Sequence, residues 1–205
     1  MEFLKRYVLF VVFIVLTSVN AAAQGGDVTA VFAKSYELEN DGKYGEAVLA
    51  LKKVSADTYA LNLRLGWLSY LDGKYKEAMN YYAKAIQLRP SSIEARLGFV
   101  LPAAKLKEWT KVGEQYDAVL RLDPNNYKAN YYRGLMFFNV GNYKTAATYL
   151  NRIEHLYPFD YDIVILTAWN FYYLKEKGRA KALFNQALLI QPTSASAAEG
   201  LALCR

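Results

Sequence analysis

The chain has 205 residues, of which 54% are hydrophobic and 21% are charged, and its formal net charge at pH 7 is +6. This composition excludes a disordered chain, because it provides enough apolar material for a core, and the charge is too small to indicate nucleic-acid binding. Since Cys204 is the only cysteine, an intramolecular disulfide is also excluded and stability has to come from packing.

The N-terminal segment 1–23 has the pattern of a secretory signal peptide. Lys5 and Arg6 precede an apolar run over residues 7–16, and the small residues at 21–23 are typical of a cleavage site. We predict that the mature chain begins at Gln24, that residues 24–27 form a short linker, and that the protein is periplasmic or secreted. An uncleaved anchor in the inner membrane is the alternative, because no charge lies between Arg6 and Asp27. No membrane insertion is expected after cleavage.

The remainder repeats with a period of about 34 residues. Gly73, Lys107, Gly141 and Lys175 follow each other at that interval, and Gly42 precedes Gly73 by a slightly shorter one. Small residues precede and follow these turns where two helices are expected to cross, and a proline closes each of the last four units. The pattern predicts helical hairpins at 28–57, 59–92, 93–126, 127–160 and 161–194, followed by a terminal helix at 195–205.

Several local features refine these hairpins. Asp27 and Asp57 are predicted to cap the first helices of the first two hairpins. Pro102 lies inside a predicted helix, where we expect a kink or a wider crossing. The terminal helix is short, with Gly200 in its middle, so we interpret it as a frayed half-repeat. The alternative is a homodimer contact in which Cys204 forms an intermolecular bond.

These hairpins resemble the tetratricopeptide repeat (TPR) family. Together with the N-terminal segment, they resemble an exported, bacterial-type member of that family. The resemblance covers nearly all of residues 28–205 and implies an all-α fold, an α-solenoid of five hairpins plus a C-terminal helix wound into a right-handed superhelix. It also implies a concave face supplied by the first helix of each hairpin. The aromatic positions predicted to line this partner-binding groove are Tyr36, Trp67, Tyr70, Tyr131, Phe138, Trp169 and Tyr172. Packing between hairpins is the competing explanation for these aromatics.

Some family members bind terminal carboxylates with a clamp of lysine, asparagine and arginine. Of the corresponding positions here, only Lys128 has a fitting residue, so no such clamp is predicted. The stripe is expected to be apolar and aromatic from end to end; the residues that complete it are Phe32, Glu39, Leu63, Leu97, Leu101, Ala104, Leu135 and Ile165. A protein or peptide with an apolar or aromatic segment is therefore the expected partner.

Catalytic chemistry has little support in the sequence. His155 is the only histidine and lies far from Cys204 along the chain, without a motif that would pair them. We predict no catalytic residue, no metal site and no cofactor. The run Lys175, Lys177, Arg179 and Lys181 is explained by a solvated turn, although contact with an acidic lipid or polymer is left open.

The sequence thus predicts a non-catalytic protein-interaction scaffold that binds an apolar peptide or an amphipathic helix and does not bind nucleic acid. The alternative is an architectural protein of the cell envelope that assembles with itself through the terminal helix.

Overall fold

The structure, a computed structural model, describes residues 28–205, which form helices joined by short turns, with no strand in that range. The predicted signal peptide at 1–23, the linker at 24–27 and the predicted Asp27 cap lie outside the described residues. Between residues 28 and 205, every helix is too short or too polar to cross a lipid bilayer.

The chain divides into two compact units, each built from helical hairpins. The first unit ends at Pro90 and the second is Ser91–Arg205. The first contains, in its described part, α1 (28–40), α2 (Tyr44–Leu51), α3 (Tyr59–Leu71) and α4 (Tyr75–Leu88). The second contains α5 (Ile93–Lys105), α6 (Trp109–Leu122), α7 (Tyr127–Asn139), α8 (Tyr143–Glu154), α9 (Tyr161–Tyr173), α10 (Lys177–Ile190) and α11 (Ala195–Leu203). All-α hairpins of the predicted kind are confirmed.

The first helix of each later hairpin, and the terminal helix α11, begin at a polar side chain that caps them. The caps accept a hydrogen bond from the backbone N–H three residues on, which satisfies a donor that the helix cannot pair internally. They are Thr58, Ser92, Asn126, Asp160 and Ser194. The predicted cap at Asp57 is wrong by one residue. Asp57 instead accepts a hydrogen bond of 2.6 Å from Asn62 Nδ2, because Thr58 already occupies the capping position.

The turn inside each hairpin passes through one residue in the left-handed region. Glycine provides it at Gly42, Gly73 and Gly141, with φ of 72–74°, whereas Lys107 (φ 59°) and Lys175 (φ 66°) provide it in the other two hairpins. Lys74 N donates to Ser69 O at 2.9 Å, the bond expected when such a residue ends a helix. The regular period of the sequence therefore arises from the repeated turn.

Small residues let the two helices of a hairpin approach closely, as predicted. A Cβ atom added at Gly66 would lie 3.0 Å from the ring of Tyr82, and one at Gly134 would lie 2.7 Å from Leu150 Cδ2. Ala146 is fully buried. The helix α5 continues through Pro102 to Lys105, and the Pro102 ring is buried.

The C-terminal helix α11 is part of the core of the second unit, so the interpretation as a frayed half-repeat is wrong. Ala197 and Cys204 are buried in one cluster with Phe184 of α10. Gly200 lies directly over that ring, since an added Cβ would be 2.2 Å from Phe184 Cε1. Cys204 is 8% exposed. Its burial in this position is unfavourable for the intermolecular bond that the sequence left open.

Candidate functional site

The first helices of the hairpins bury one side and leave a second side half-exposed. In α9, the residues that pack against α10 include Val164, Ala168 and Phe171, all buried. Trp169 and Tyr172 lie on the adjacent side and are half-buried. The corresponding positions of the other first helices are also half-exposed or exposed. We call these surfaces the first-helix faces; they comprise Phe32, Tyr36, Glu39, Leu63, Trp67 and Tyr70 in the first unit and Leu97, Leu101, Ala104, Tyr131, Leu135, Phe138, Ile165, Trp169 and Tyr172 in the second.

In the second unit, α7 and α9 bring four aromatic rings together on this face. Tyr173, which the sequence analysis did not single out, makes the connection. Its ring centroid lies 5.8 Å from that of Phe138 and 6.2 Å from that of Trp169. Tyr172 stands edge-on to Trp169 at 5.6 Å. Phe138, Trp169 and Tyr172 thus belong to one aromatic surface.

Tyr131 lies further towards the start of α7, in contact with two other tyrosines. Its ring stacks on Tyr127 at 6.2 Å and stands edge-on to Tyr132 at 5.2 Å. The hydroxyl of Tyr127 donates to Asp160 Oδ2 at 2.9 Å. Burial and the nearby Asp160 carboxylate raise the pKa of Tyr127, and burial raises the pKa of Tyr131. Both phenols are therefore neutral hydrogen-bond donors at physiological pH.

Trp169 has a structural role in addition to its place on the face. Its Nε1–H donates to Ser196 Oγ at 2.9 Å, and its ring stands edge-on to the fully buried Phe184 at 5.0 Å. One side of the indole therefore holds α11 to α9 while the other remains half-exposed. Truncating Trp169 would affect folding as well as binding, so Tyr131 and Tyr172 are better probes of the face.

The first unit presents a face of different character. Trp67 and Tyr70 lie 5.9 Å apart, and Tyr36, the most exposed of the predicted residues at 53%, stacks under the guanidinium of Arg64 at 3.7 Å. Arg64 also donates to Glu39, and Trp67 Nε1–H donates to Glu39 Oε1 at 2.6 Å. The expectation of a purely apolar and aromatic stripe is therefore wrong for the first unit.

Arg64 is the functional candidate that sequence reasoning missed. Its side chain is 8% exposed, and Nε donates to the buried Ser35 Oγ at 3.1 Å. The single charged residue of the helix Tyr59–Leu71 was a signal, but its partner Glu39 lies in the preceding hairpin and could not be identified from spacing. A partly buried ion pair that also satisfies an indole N–H fixes the geometry of Trp67 and Tyr36.

The residues considered for chemistry are apart from these faces. His155 caps the C-terminus of α8, where Nδ1 lies 2.9 Å from the carbonyl of Asn151. Cys204, which directly follows α11, is buried in the core of the second unit. Within residues 28–205, no group of three His, Cys, Asp or Glu side chains is placed to hold a metal ion.

The sequence of the chain is similar to known repeat proteins. Two sequence models of the tetratricopeptide repeat family match residues 60–92 and 114–161. Anaphase-promoting complex subunit 6 of Arabidopsis thaliana is 26% identical over 130 residues, which is 63% of this chain and 24% of that protein. The protein CTR9 homolog of the same plant is 26% identical over 122 residues, 58% of this chain and 11% of that protein. The chain thus spans a quarter or less of the length of these curated relatives.

Solved structures of similar fold cover more of the chain. A tetratricopeptide repeat protein from Parabacteroides merdae has a TM-score of 0.74 at 22% identity, covering 87% of this chain and 72% of that one. MamA has a TM-score of 0.71 at 18% identity, covering 83% and 95%. YrrB, described as a TPR protein with an unusual peptide-binding site, has a TM-score of 0.69 at 15% identity, covering 90% and 95%. At these identities the likeness shows the fold.

Proposed function

We propose that this chain, which is similar to tetratricopeptide repeat proteins, is a non-catalytic scaffold that holds an apolar segment of another protein against the first-helix face of its second unit. Proteins of this repeat family typically serve as scaffolds for protein interaction. The observation that carries the proposal is the aromatic surface of Phe138, Trp169, Tyr172 and Tyr173, which remains half-exposed on one side of the second unit. Contiguous exposed apolar surface of this kind is typical of interaction sites.

The chemistry of the face favours an amphipathic helix or an extended apolar peptide as the ligand. Large aromatic side chains contribute most of the energy at interfaces because they bury a wide area with few rotatable bonds. The phenols of Tyr131 and Tyr172 lie beside these rings and can donate to backbone carbonyls of a bound segment. The peptide-binding site named for YrrB supports this use of the fold, while the residues proposed here are those of this chain.

The test is selection of binding peptides from a random displayed library, followed by affinity measurement with variants. The double variant Tyr131→Ala and Tyr172→Ala should weaken the selected peptides by about 2 kcal/mol or more, as expected at an interface hot spot. The matched control is Leu189→Ala, which removes a 76% exposed side chain from α10, away from the face. Circular dichroism should show the same helix content in all three proteins.

Two results would count against the proposal. Peptides selected for acidic residues alone, without apolar positions at helical spacing, would exclude an apolar ligand. An equal loss of affinity in Leu189→Ala would mean that the first-helix face of the second unit is not the binding surface.

We also propose that the protein acts in the periplasm or outside the cell. The support is the pattern of residues 1–23, which lies outside the described part of the chain. N-terminal sequencing of protein recovered from fractionated native cells should begin at Gln24. Recovery from the cytosol with Met1 or Glu2 at its N-terminus would contradict the proposal.

The self-assembling architectural protein remains the second candidate, supported by the outer side of α11. Ala198, Ala202 and Leu203 are exposed there and offer an apolar contact. Sedimentation should then show association that rises with concentration and, because Cys204 is buried, does not depend on reductant. A monomer at all concentrations would eliminate this candidate.

A further inference from the structure

The second unit carries its charge unevenly along the helix axes. Its helices pack in chain order, α5 on α6, α6 on α7 and onwards to α10, and each turn inside a hairpin is three residues long. Successive helices are therefore antiparallel, and the three turns inside the hairpins lie at the same end of the unit. We call this end the turn edge; it comprises residues 105–111, 139–145 and 173–181.

Contacts between neighbouring hairpins confirm that these turns lie side by side. At the turn edge, the ring of Tyr143 stacks on Tyr173 at 4.8 Å, which joins the second turn to the third. A Cβ atom added at Gly113 would lie 3.7 Å from Met136 Cε, which places the start of α6 beside the last part of α7. The three turns form one continuous edge.

The turn edge carries eight basic residues and two acidic ones, Glu108 and Glu176. Residues 121–128, 155–162 and 188–196, towards the opposite end, carry two basic residues, Arg121 and Lys128, and three acidic ones, Asp123, Asp160 and Asp162. An asymmetry of this size creates a positive potential on one end of the unit.

Several of these positive charges are not neutralised within the described chain. Lys111 pairs with Glu108 at 3.1 Å and Arg179 with Glu154 at 3.7 Å. Lys105, Lys107, Lys144 and Lys181 are exposed and have no ion-pair partner between residues 28 and 205. Their long, flexible side chains are free to reach an external anion.

Lysine replaces glycine at two of these turns although the backbone conformation there favours glycine. Lys107 and Lys175 hold the left-handed conformation that glycine provides at Gly42, Gly73 and Gly141. A side chain in that conformation has a steric cost that glycine does not have. Strained positions of this kind often coincide with functional sites.

Exposed apolar side chains accompany the lysines. Trp109, the first residue of α6, is 54% exposed, and Val140, in the second turn, is 76% exposed. Tryptophan and lysine together are typical of surfaces that contact the interface of a membrane, where the indole reaches the headgroup level and the ammonium groups meet anionic lipids. A soluble polyanion would attract the lysines without using Trp109 or Val140.

We propose that the turn edge of the second unit docks on the surface of an anionic lipid bilayer. The lysines at the three turns supply the long-range attraction, and Trp109 and Val140 enter the headgroup region. The opposite end of the unit, which lacks this excess of positive charge, faces away from the membrane. The first-helix face runs from Phe138 and Tyr172, which border the turn edge, to Tyr131 near the start of α7, so a docked chain leaves the part around Tyr131 and Leu135 accessible to a protein ligand.

The test compares binding of the full chain to phosphatidylglycerol vesicles and to phosphatidylcholine vesicles. The ratio of the two partition coefficients removes any apolar contribution that residues 1–27 make equally to both. The double variant Lys107→Gly and Lys175→Gly should lower this ratio about 30-fold, because each lysine near an anionic surface contributes about 1 kcal/mol. Its resistance to denaturant should be equal to or greater than that of the parent, since glycine relieves both turns.

A matched control removes the same charge from the opposite end. Arg121→Gln with Lys128→Gln should leave the ratio within about two-fold of the parent, because residues away from the surface are screened. If the glycine variant aggregates, Lys144→Gln with Lys181→Gln replaces two turn-edge charges on helices and should lower the ratio to a similar degree. Brominated lipids should quench Trp109 in the parent, and the quenching should be lost in Trp109→Phe.

Three outcomes would overturn the proposal. The glycine variant could bind both kinds of vesicle as the parent does. The control at the opposite end could lower the ratio equally, which would assign the effect to net charge. The parent could bind polyglutamate or nucleic acid and leave anionic vesicles unbound, which would identify a polyanion as the ligand.

Discussion

Whether Gly200→Ala raises or lowers the free energy of unfolding shows whether the C-terminal helix α11 is frayed or packed in the core. Gly200→Ala adds one methyl group in the middle of the helix. In a frayed or isolated helix, alanine is more stable than glycine by about 0.8 to 1 kcal/mol. In the structure, the same methyl group would lie 2.2 Å from both Cε1 and Cζ of Phe184, well inside van der Waals contact.

The magnitude follows from how little Phe184 can move. The ring is fully buried in one hydrophobic cluster with Val164, Ala168 and Ala197. Overpacking of a core by a methyl group usually costs about 1 to 3 kcal/mol, and the tight contact places Gly200→Ala at the upper end. After the gain in helix propensity, we expect a net destabilisation of about 1 to 2 kcal/mol.

Gly178→Ala is the matched control. Gly178 is also helical, near the start of α10, and a Cβ atom added there meets nothing within 4 Å. This variant should therefore be stabilised by about 0.5 to 1 kcal/mol. Urea denaturation followed by circular dichroism measures both changes. Equal stabilisation of the two variants would show that α11 is not packed on Phe184 and would refute the account of the C-terminal core.

Three further changes test other parts of the fold. Ala146→Leu should lower the free energy of unfolding by about 1 to 3 kcal/mol, since the residue is fully buried where α7 and α8 cross; an unchanged denaturation midpoint would mean that the crossing is assigned wrongly. Tyr127→Phe removes the 2.9 Å hydrogen bond to Asp160 and should lower the free energy of unfolding by about 1 kcal/mol. In the parent, a spectroscopic titration should show that Tyr127 is still protonated at pH 10, because its pKa is raised. The hydrogen bond from Lys52 lowers the pKa of Glu77 below its usual 4.5. The pair therefore stabilises the folded state at pH values above 4.5, and this stabilisation is lost as the pH falls through the lowered pKa of Glu77. Glu77→Gln should remove this dependence of stability on acid pH. At neutral pH it should lower the free energy of unfolding by less than about 1 kcal/mol, because the ion pair is exposed.

The aromatic face was partly predictable for a geometrical reason. Residues at steps of three and four along a helix share one side, so Trp169 and Tyr172 had to lie together wherever α9 packed. The sequence could not assign Tyr173, because its neighbours Phe138 and Tyr143 belong to the preceding hairpin. Nor could it distinguish the half of Trp169 that supports α11 from the half that remains exposed.

Local rules determined the hairpins from the sequence alone. The left-handed residue in each turn and the closing prolines act on a few neighbouring residues, so their regular spacing predicted the all-α repeat. Tertiary structure alone decided how distant side chains meet. Arg64 donates a hydrogen bond to Glu39 of the preceding hairpin, and this contact makes the face of the first unit partly ionic. Phe184 packs against Gly200, and this contact makes α11 part of the core. Periodicity records which residues share a helix side, whereas these contacts depend on the separation and rotation of packed helices, which no local pattern specifies.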